Sequence, residues 1–168
     1  MATRIKKLKS RDEFGKLYQE YYQTGVGAEI GVQLGLNAAN ISEEWKGTIL
    51  CVDSWQENAV QELAMSNIGK DQFKIIQGLS TDVARQIEDG SLDWVYIDAD
   101  HQYQSVKEDL EAWYPKVRSG GIVSGHDYDD NIVLGGVVKA VDEFAKTHKY
   151  KIKLTAEKET PSWWFIKK

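Results

Sequence analysis

LDWVYIDADHQYQSVKEDLEAWYPKVRSGGIVSGHD, residues 92–127, sets an amphipathic segment between two short apolar runs. LDWVYID has the length and the aromatic, β-branched character of a buried strand. QYQSVKEDLEAWYPKV places Tyr103, Val106, Leu110, Trp113 and Tyr114 at three- and four-residue spacings, so one helical face is apolar. Pro115 bends that helix or marks its end. GGIVSGHD is a second strand. Strand, helix, strand is the unit of a parallel sheet, because parallel neighbours need a crossover between them.

The alternation continues toward the N-terminus. GAEIGV (27–32), GTILCVD (47–53) and FKIIQG (73–78) read as strands. LGLNAANISEEW (34–45), SWQENAVQELAMSNIG (54–69) and STDVARQIEDG (80–90) supply the helices, the second stopped near Gly69 and the third capped by Ser80 or Thr81. Residues 10–24 form a further amphipathic helix through Phe14, Leu17, Tyr18 and Tyr21, ended by Gly25 and Gly27. Beyond the fifth strand, VLGGVVKAVDEFAKTH (133–148) becomes a helix with Val137, Val138, Val141, Phe144 and Ala145 inward. YKIKLT and SWWFIKK have only a Pro161 turn between them, so they form a hairpin and one of them runs antiparallel. The fold class is therefore α/β: a doubly wound, seven-stranded, mostly parallel sheet with a C-terminal antiparallel hairpin. Residues 1–24 stand apart as an N-terminal helical extension, a lid, a dimer arm or packing, before a domain over 25–168.

The length of 168 residues suits one such domain, and 42% apolar with 28% charged residues is an ordinary globular balance. A net charge of −5 argues against nucleic-acid binding by phosphate neutralisation. The basic run RIKKLKSR (4–11) reads as a solvated helix end or disordered tail. The single cysteine, Cys51, excludes an intrachain disulfide and a cysteine-ligated zinc site and is read as a small core residue. No apolar run has the length of a membrane span and no signal peptide is visible, so a soluble cytoplasmic protein is expected.

Ligands of such sheets bind beyond the carboxyl ends of the strands. The polar residues of interest fall there: Gly31 to Gly35, Asp53, Gly78 to Thr81, Asp98 to His101, then His126 and Asp127. In AEIGVQLG, Glu29, Gly31 and Gly35 are spaced E-x-G-x-x-x-G, which serves a tight turn or a close approach to a ligand. Asp53, roughly 20 residues on, can accept hydrogen bonds from ribose hydroxyls or cap the helix that follows. The spacing departs from the dinucleotide fingerprint and there is no phosphate-loop lysine, so a nucleoside without phosphates fits better.

AEIGVQLG, CVDSW, DWVYIDADHQY and SGGIVSGHDY together resemble a class I S-adenosylmethionine-dependent methyltransferase, over roughly residues 26–168. The nearest likeness is to metal-dependent O-methyltransferases of the catechol type and of macrolide sugars. The resemblance implies a Rossmann-like sheet with S-adenosylmethionine as cofactor. It implies that Glu29, Gly31 and Gly35 shape the methionine end, that Asp53 takes the ribose, and that Ser80 lies by the adenine; Trp55 either contacts the adenine or, as an aromatic at a helix start more often does, packs. Gln33 departs from it, standing where many members have glycine.

The resemblance also implies that Asp98 and Asp127 hold a divalent metal, with His126 as third ligand in the place of a second acid and His101 as general base. Two neighbouring carboxylates repel, and a cation between them resolves that. An oxygen-rich set suits Mg²⁺, whereas an imidazole in the shell lets Mn²⁺, Fe²⁺ or Zn²⁺ compete. Plainer roles exist for the same residues: Asp100 as cap of the next helix, His101 as a loop residue, HDYDDN as a polar loop capping the last helix through Asp129, Asp130 or Asn131.

The reading is O-methylation of a small-molecule hydroxyl, on a sugar or a catechol-like ring. HDYDDNIVLGG (126–136) is the acceptor loop, with Tyr128 against a ring. Without an inserted lid the acceptor site is open, unless the N-terminal helix or the second subunit of a homodimer covers it. The rivals are a NAD-dependent oxidoreductase and a non-catalytic nucleoside-binding subunit.

Overall fold

A computed structural model describes residues 7–68, 71–130 and 136–168. Seven strands form one sheet: β1 (Val26–Ile30), β2 (Thr48–Asp53), β3 (Phe73–Gln77), β4 (Leu92–Ile97), β5 (Val117–Gly125), β6 (Lys153–Leu154) and β7 (Trp163–Ile166). Six helices accompany them: α1 (Phe14–Tyr21), α2 (Leu36–Glu44), α3 (Asn58–Asn67), α4 (Ser80–Ala84), α5 (Tyr103–Trp113) and α6 (Val137–His148).

The sheet order is β3-β2-β1-β4-β5-β7-β6. The first five strands are parallel; β7 runs antiparallel to β5, and β6 antiparallel to β7. The chain walks outward from β1 to β3, then returns to the other side of β1 with β4. That reversal opens a crevice between β1 and β4, where ligands of doubly wound sheets bind.

Every residue of β4 is buried, as a central strand covered on both faces requires. Alternation sends Val95 and Ile97 to one face and Trp94 and Tyr96 to the other. The first face is covered by α4, α5 and α6 through Val83, Leu110, Trp113 and Val141. The second is covered by α1, α2 and α3 through Phe14, Leu17, Ile41 and Ala64. Tyr18 of α1 stacks on Trp94 with ring centroids 4.1 Å apart, and Phe14 meets Tyr96 edge-on at 5.1 Å. α1 is thus part of the second core.

Several local expectations are adjusted. The helix read over residues 10–24 begins with a 3-10 turn at Arg11–Glu13 and ends at Tyr21. α5 stops at Trp113, and Pro115 sits in a 3-10 turn over Tyr114–Lys116. β5 begins at Val117, three residues before the glycine pair. Neither Ser80 nor Thr81 caps α4: Leu79 is the N-cap, Ser80 is the first helical residue and its hydroxyl is engaged elsewhere. Gly69, most of the glycine-rich end of the proposed acceptor loop, and residues 4–6 of the basic run lie outside the described residues. Among the described residues no helix is long and apolar enough to cross a membrane.

Candidate active site

At the carboxyl ends of β1, β2, β3 and β4 lies a cavity of about 920 Å³. Glu29, Gly31, Asp53, Ser80, Asp98 and His101 line it, so six of the sequence-predicted residues converge on one space. The floor is set by backbone pairing at the switch point: Gly31 donates to Val52 O at 2.9 Å, and Asp98 donates to Ile30 O at 2.8 Å. Gly31 has φ +83°, and a Cβ there would collide with the carbonyl of Asp98. Only glycine allows β1 and the end of β4 to approach so closely.

Glu29 is 1% exposed and takes a hydrogen bond from Asn37 Nδ2 at 2.7 Å through Oε1. Its Oε2 is buried without a hydrogen-bond partner among the described residues. Burial pushes its carboxyl up to about 8, against the Asn37 bond and nearby Arg11. The cavity wall therefore keeps an unpaired carboxyl oxygen at the methionine end of the implied cofactor site.

Asp53 does not cap the next helix. Its Oδ2 accepts from the Gln33 amide at 2.8 Å and its Oδ1 from the Trp55 amide at 2.9 Å. Gln33 and Trp55 have φ +48° and +32°, the left-handed region that side chains disfavour. Asp53 thus pins two loops in glycine-like conformations, and each of its oxygens can accept a further hydrogen bond. Gln33, the departure from the family pattern, keeps the backbone shape that a glycine would give. Gly35 (φ +74°) starts α2 but does not reach the cavity.

Trp55 is buried and donates through Nε1 to Gln33 O at 2.9 Å. It packs under the loop among Val32, Ala64 and Ile68 instead of facing the cavity. Of its two readings the structure favours packing, the indole being buried in the core. Ser80 does line the cavity; it donates to Asp109 and accepts from Trp113 Nε1 at 2.8 Å. Asp109, which the sequence reading passed over, faces the same space, and burial pushes its carboxyl up to about 6.

The metal-ligand expectation divides. Ligand atoms of Asp98, His101 and Asp127 lie within 4.8 Å of one another. His101 Nε2 is 2.9 Å from Asp127 Oδ2 and 3.8 Å from Asp98 Oδ1, without the alignment of a hydrogen bond. His126 lies outside that group, its Nδ1 3.1 Å from the other oxygen of Asp127. It therefore orients Asp127, and in this arrangement the imidazole that meets both carboxylates is His101.

Asp127 has φ +54°, a turn that brings its carboxylate back over the end of β4. Burial pushes its carboxyl up, but His101 and then His126 more than reverse this and hold it well below the usual carboxylate range. Asp127 and then Asp98 push His101 up to about 10 against the effect of burial. The two carboxylates thus favour the protonated form of the His101 imidazole. Two anionic oxygens and one imidazole nitrogen this close fit a divalent cation.

Asp100 has the plainer role. Its Oδ1 accepts from the Gln102 amide at 3.2 Å and its Oδ2 from Ser105 at 2.7 Å, at the start of α5. Tyr128 gives its hydroxyl to Asp142 at 2.6 Å. The reading of RIKKLKSR as a solvated end fails at Arg11. Its NH2 donates to Asp98 Oδ2 at 2.8 Å, its side chain is 29% exposed, and it lines the cavity. Nothing local in the sequence signals a contact made across 87 positions.

The methyltransferase domain family matches residues 28–128. An uncharacterised protein of Acanthamoeba polyphaga mimivirus is 32% identical over 98 residues, 56% of this chain and 44% of that protein. An uncharacterised Sinorhizobium fredii protein is 35% identical over 54 residues, 32% of this chain and 6% of that one. The matched part is under half the length of either relative.

Among solved structures, an O-methyltransferase of Bacillus cereus in complex with S-adenosylhomocysteine superposes with a TM-score of 0.72 at 18% identity, covering 94% of this chain and 80% of that one. TomG of Streptomyces achromogenes, an O-methyltransferase of tomaymycin synthesis in complex with S-adenosylmethionine, gives 0.72 at 13%, covering 94% and 79%. At such identities these likenesses speak for the fold. With the family match spanning most of the sheet and the whole cavity floor, the chain belongs to the methyltransferase domain family.

Proposed function

We propose that this protein methylates a hydroxyl of a small molecule, with a divalent cation held by Asp98 and Asp127. The observation that carries this reading is the convergence of Asp98, His101 and Asp127 at the edge of the cavity that Glu29, Gly31 and Asp53 line or shape. O-methyltransferases recur among the structural neighbours and support the choice of oxygen.

In this reading Asp53 would hold the ribose of the cofactor and Glu29 its methionine end. The cofactor supplies an electrophilic methyl group. The cation, when bound, lowers the proton affinity of the acceptor hydroxyl and offsets the charge of the two carboxylates. His101 would take the acceptor's proton at Nε2 as general base. His126 keeps Asp127 in place through Nδ1. The set of two carboxylates beside imidazoles suits Mg²⁺ or Mn²⁺.

The test is formation of S-adenosylhomocysteine by chelator-stripped protein, with catechol and sugar hydroxyl acceptors, with and without added Mg²⁺ or Mn²⁺. Turnover that returns on adding the cation is expected. Turnover unaffected by stripping, or methylation confined to nitrogen acceptors, would overturn the reading. His101→Gln should lower kcat while leaving cation affinity near wild type; loss of cation affinity instead would make His101 a ligand.

A further inference from the structure

Among the described residues Arg11 is the only arginine or lysine lining the cavity, against seven acidic side chains. Its five N–H donors are unevenly used. One NH2 donor is taken by Asp98 Oδ2, and Nε approaches Asn37 Oδ1 at 3.4 Å. The rest of the guanidinium fork has no hydrogen-bond partner among the described residues. The segment that carries it is anchored on both sides: the Arg11 amide donates to Glu157 at 3.2 Å, and the Ala156 amide donates to Leu8 O at 3.0 Å. Phe14 and Leu17, just beyond, are fully buried. The guanidinium is therefore presented from a fixed base, over the end of the cavity marked by Glu29, Asn37 and Asp98.

That is the end at which the amino-acid part of the cofactor belongs, and an amino acid carries a carboxylate beside an ammonium. Arg11 and Asp98, side by side, offer the opposite pair of charges. The two oxygens of Asp98 also divide their tasks, Oδ2 toward Arg11 and Oδ1 toward His101.

We infer that Arg11 binds the carboxylate of the cofactor's methionine moiety and so selects for the intact amino acid. A guanidinium does this bidentately, by two charge-assisted hydrogen bonds. The inference rests on the proposed orientation of the cofactor, with its methionine end at Glu29 and Asp98.

The experiment measures, by calorimetry, S-adenosylhomocysteine, its decarboxylated analogue and 5′-methylthioadenosine against wild type and Arg11→Gln. Wild type should favour S-adenosylhomocysteine over the decarboxylated analogue by about tenfold to a hundredfold, the worth of hydrogen bonds to a charged group. Arg11→Gln should lose that preference, with methylthioadenosine affinity and thermal midpoint near wild type, and Arg11→Lys should restore part of it. Equal loss of affinity for all three ligands would mean a structural role and overturn the inference. So would an unchanged preference, which would give the carboxylate to the backbone amides opening α2. Failure of wild type to bind S-adenosylhomocysteine at all would instead sink the cofactor reading beneath it.

Discussion

β4 has an aspartate at each end, and each meets an arginine at 2.8 Å: Asp93 with Arg118, Asp98 with Arg11. At the entering end, Asp93 Oδ1 takes Arg118 and Oδ2 takes the Val26 amide at 2.9 Å. A Cβ on Gly25 would strike that carboxylate, so the surroundings are closed around it. At the leaving end, Asp98 gives one oxygen to Arg11 and turns the other toward His101, beside a cavity of about 920 Å³. An ion pair by itself does not reveal its role. The Asp93 pair latches the start of the sheet because its partners are complete; the Asp98 pair belongs to a site because its neighbours keep donors and acceptors in reserve.

The strongest way to break this comparison is to remove charge at the leaving end. Asp127→Ala should cut cation-stimulated turnover by about 10²–10⁴-fold while leaving S-adenosylhomocysteine affinity within about threefold. Turnover within tenfold of wild type would erase the functional difference between the two ends of β4.

Asp109 sharpens the contrast, as a buried carboxylate without a paired arginine. Its folded carboxyl titrates at about 6 against an ordinary 3.8. As pH rises from about 4 the unfolded chain releases this proton first, so the group's contribution to stability falls. The fall is complete above about pH 6 and amounts to about 3 kcal/mol. Asp109→Asn keeps an acceptor for Ser80 and should remove the fall, seen as urea midpoints at pH 4 and 7 compared with wild type. An identical pH dependence in the variant would mean that the carboxyl is solvated.

Asp93→Ala should cost about 2 kcal/mol in denaturant unfolding, because it strands the Val26 amide and frees Arg118. Cofactor affinity should hold, and a large loss of affinity would make the entering end part of the site. The smallest effect is expected for Asp53→Ala: about tenfold weaker S-adenosylhomocysteine binding, with kcat at saturating cofactor nearly kept. A fall in kcat with affinity intact would contradict its place at the ribose.

Much of this was legible in the chain because periodicity is local. Val95 and Ile97 point one way and Trp94 and Tyr96 the other, as two-residue alternation requires. The placing of Gly31, Asp53, Ser80, Asp98 and His101 at strand ends was enough to bring them to one cavity. What stayed open or was misread shares a cause. Trp55 could be read as packing or as a ligand contact, and only its burial in the core separates the two. His126 and His101 both stood within reach of Asp127 in sequence terms, and only their approach to its two different oxygens separates them. Arg11 was hidden in a basic run that looked solvated.

By itself the sequence determined the alternation of strands and helices, the covered sheet and the set of strand ends at which polar chemistry gathers. These follow from hydrophobic spacing and backbone preference, which act over a few residues. Tertiary structure alone decided which acid keeps a spare oxygen, which imidazole meets both carboxylates, and that a cation from the N-terminal segment closes over Asp98. Electrostatic partnership depends on distance in space and on exclusion of water, and neither is written in the separation of residues along the chain.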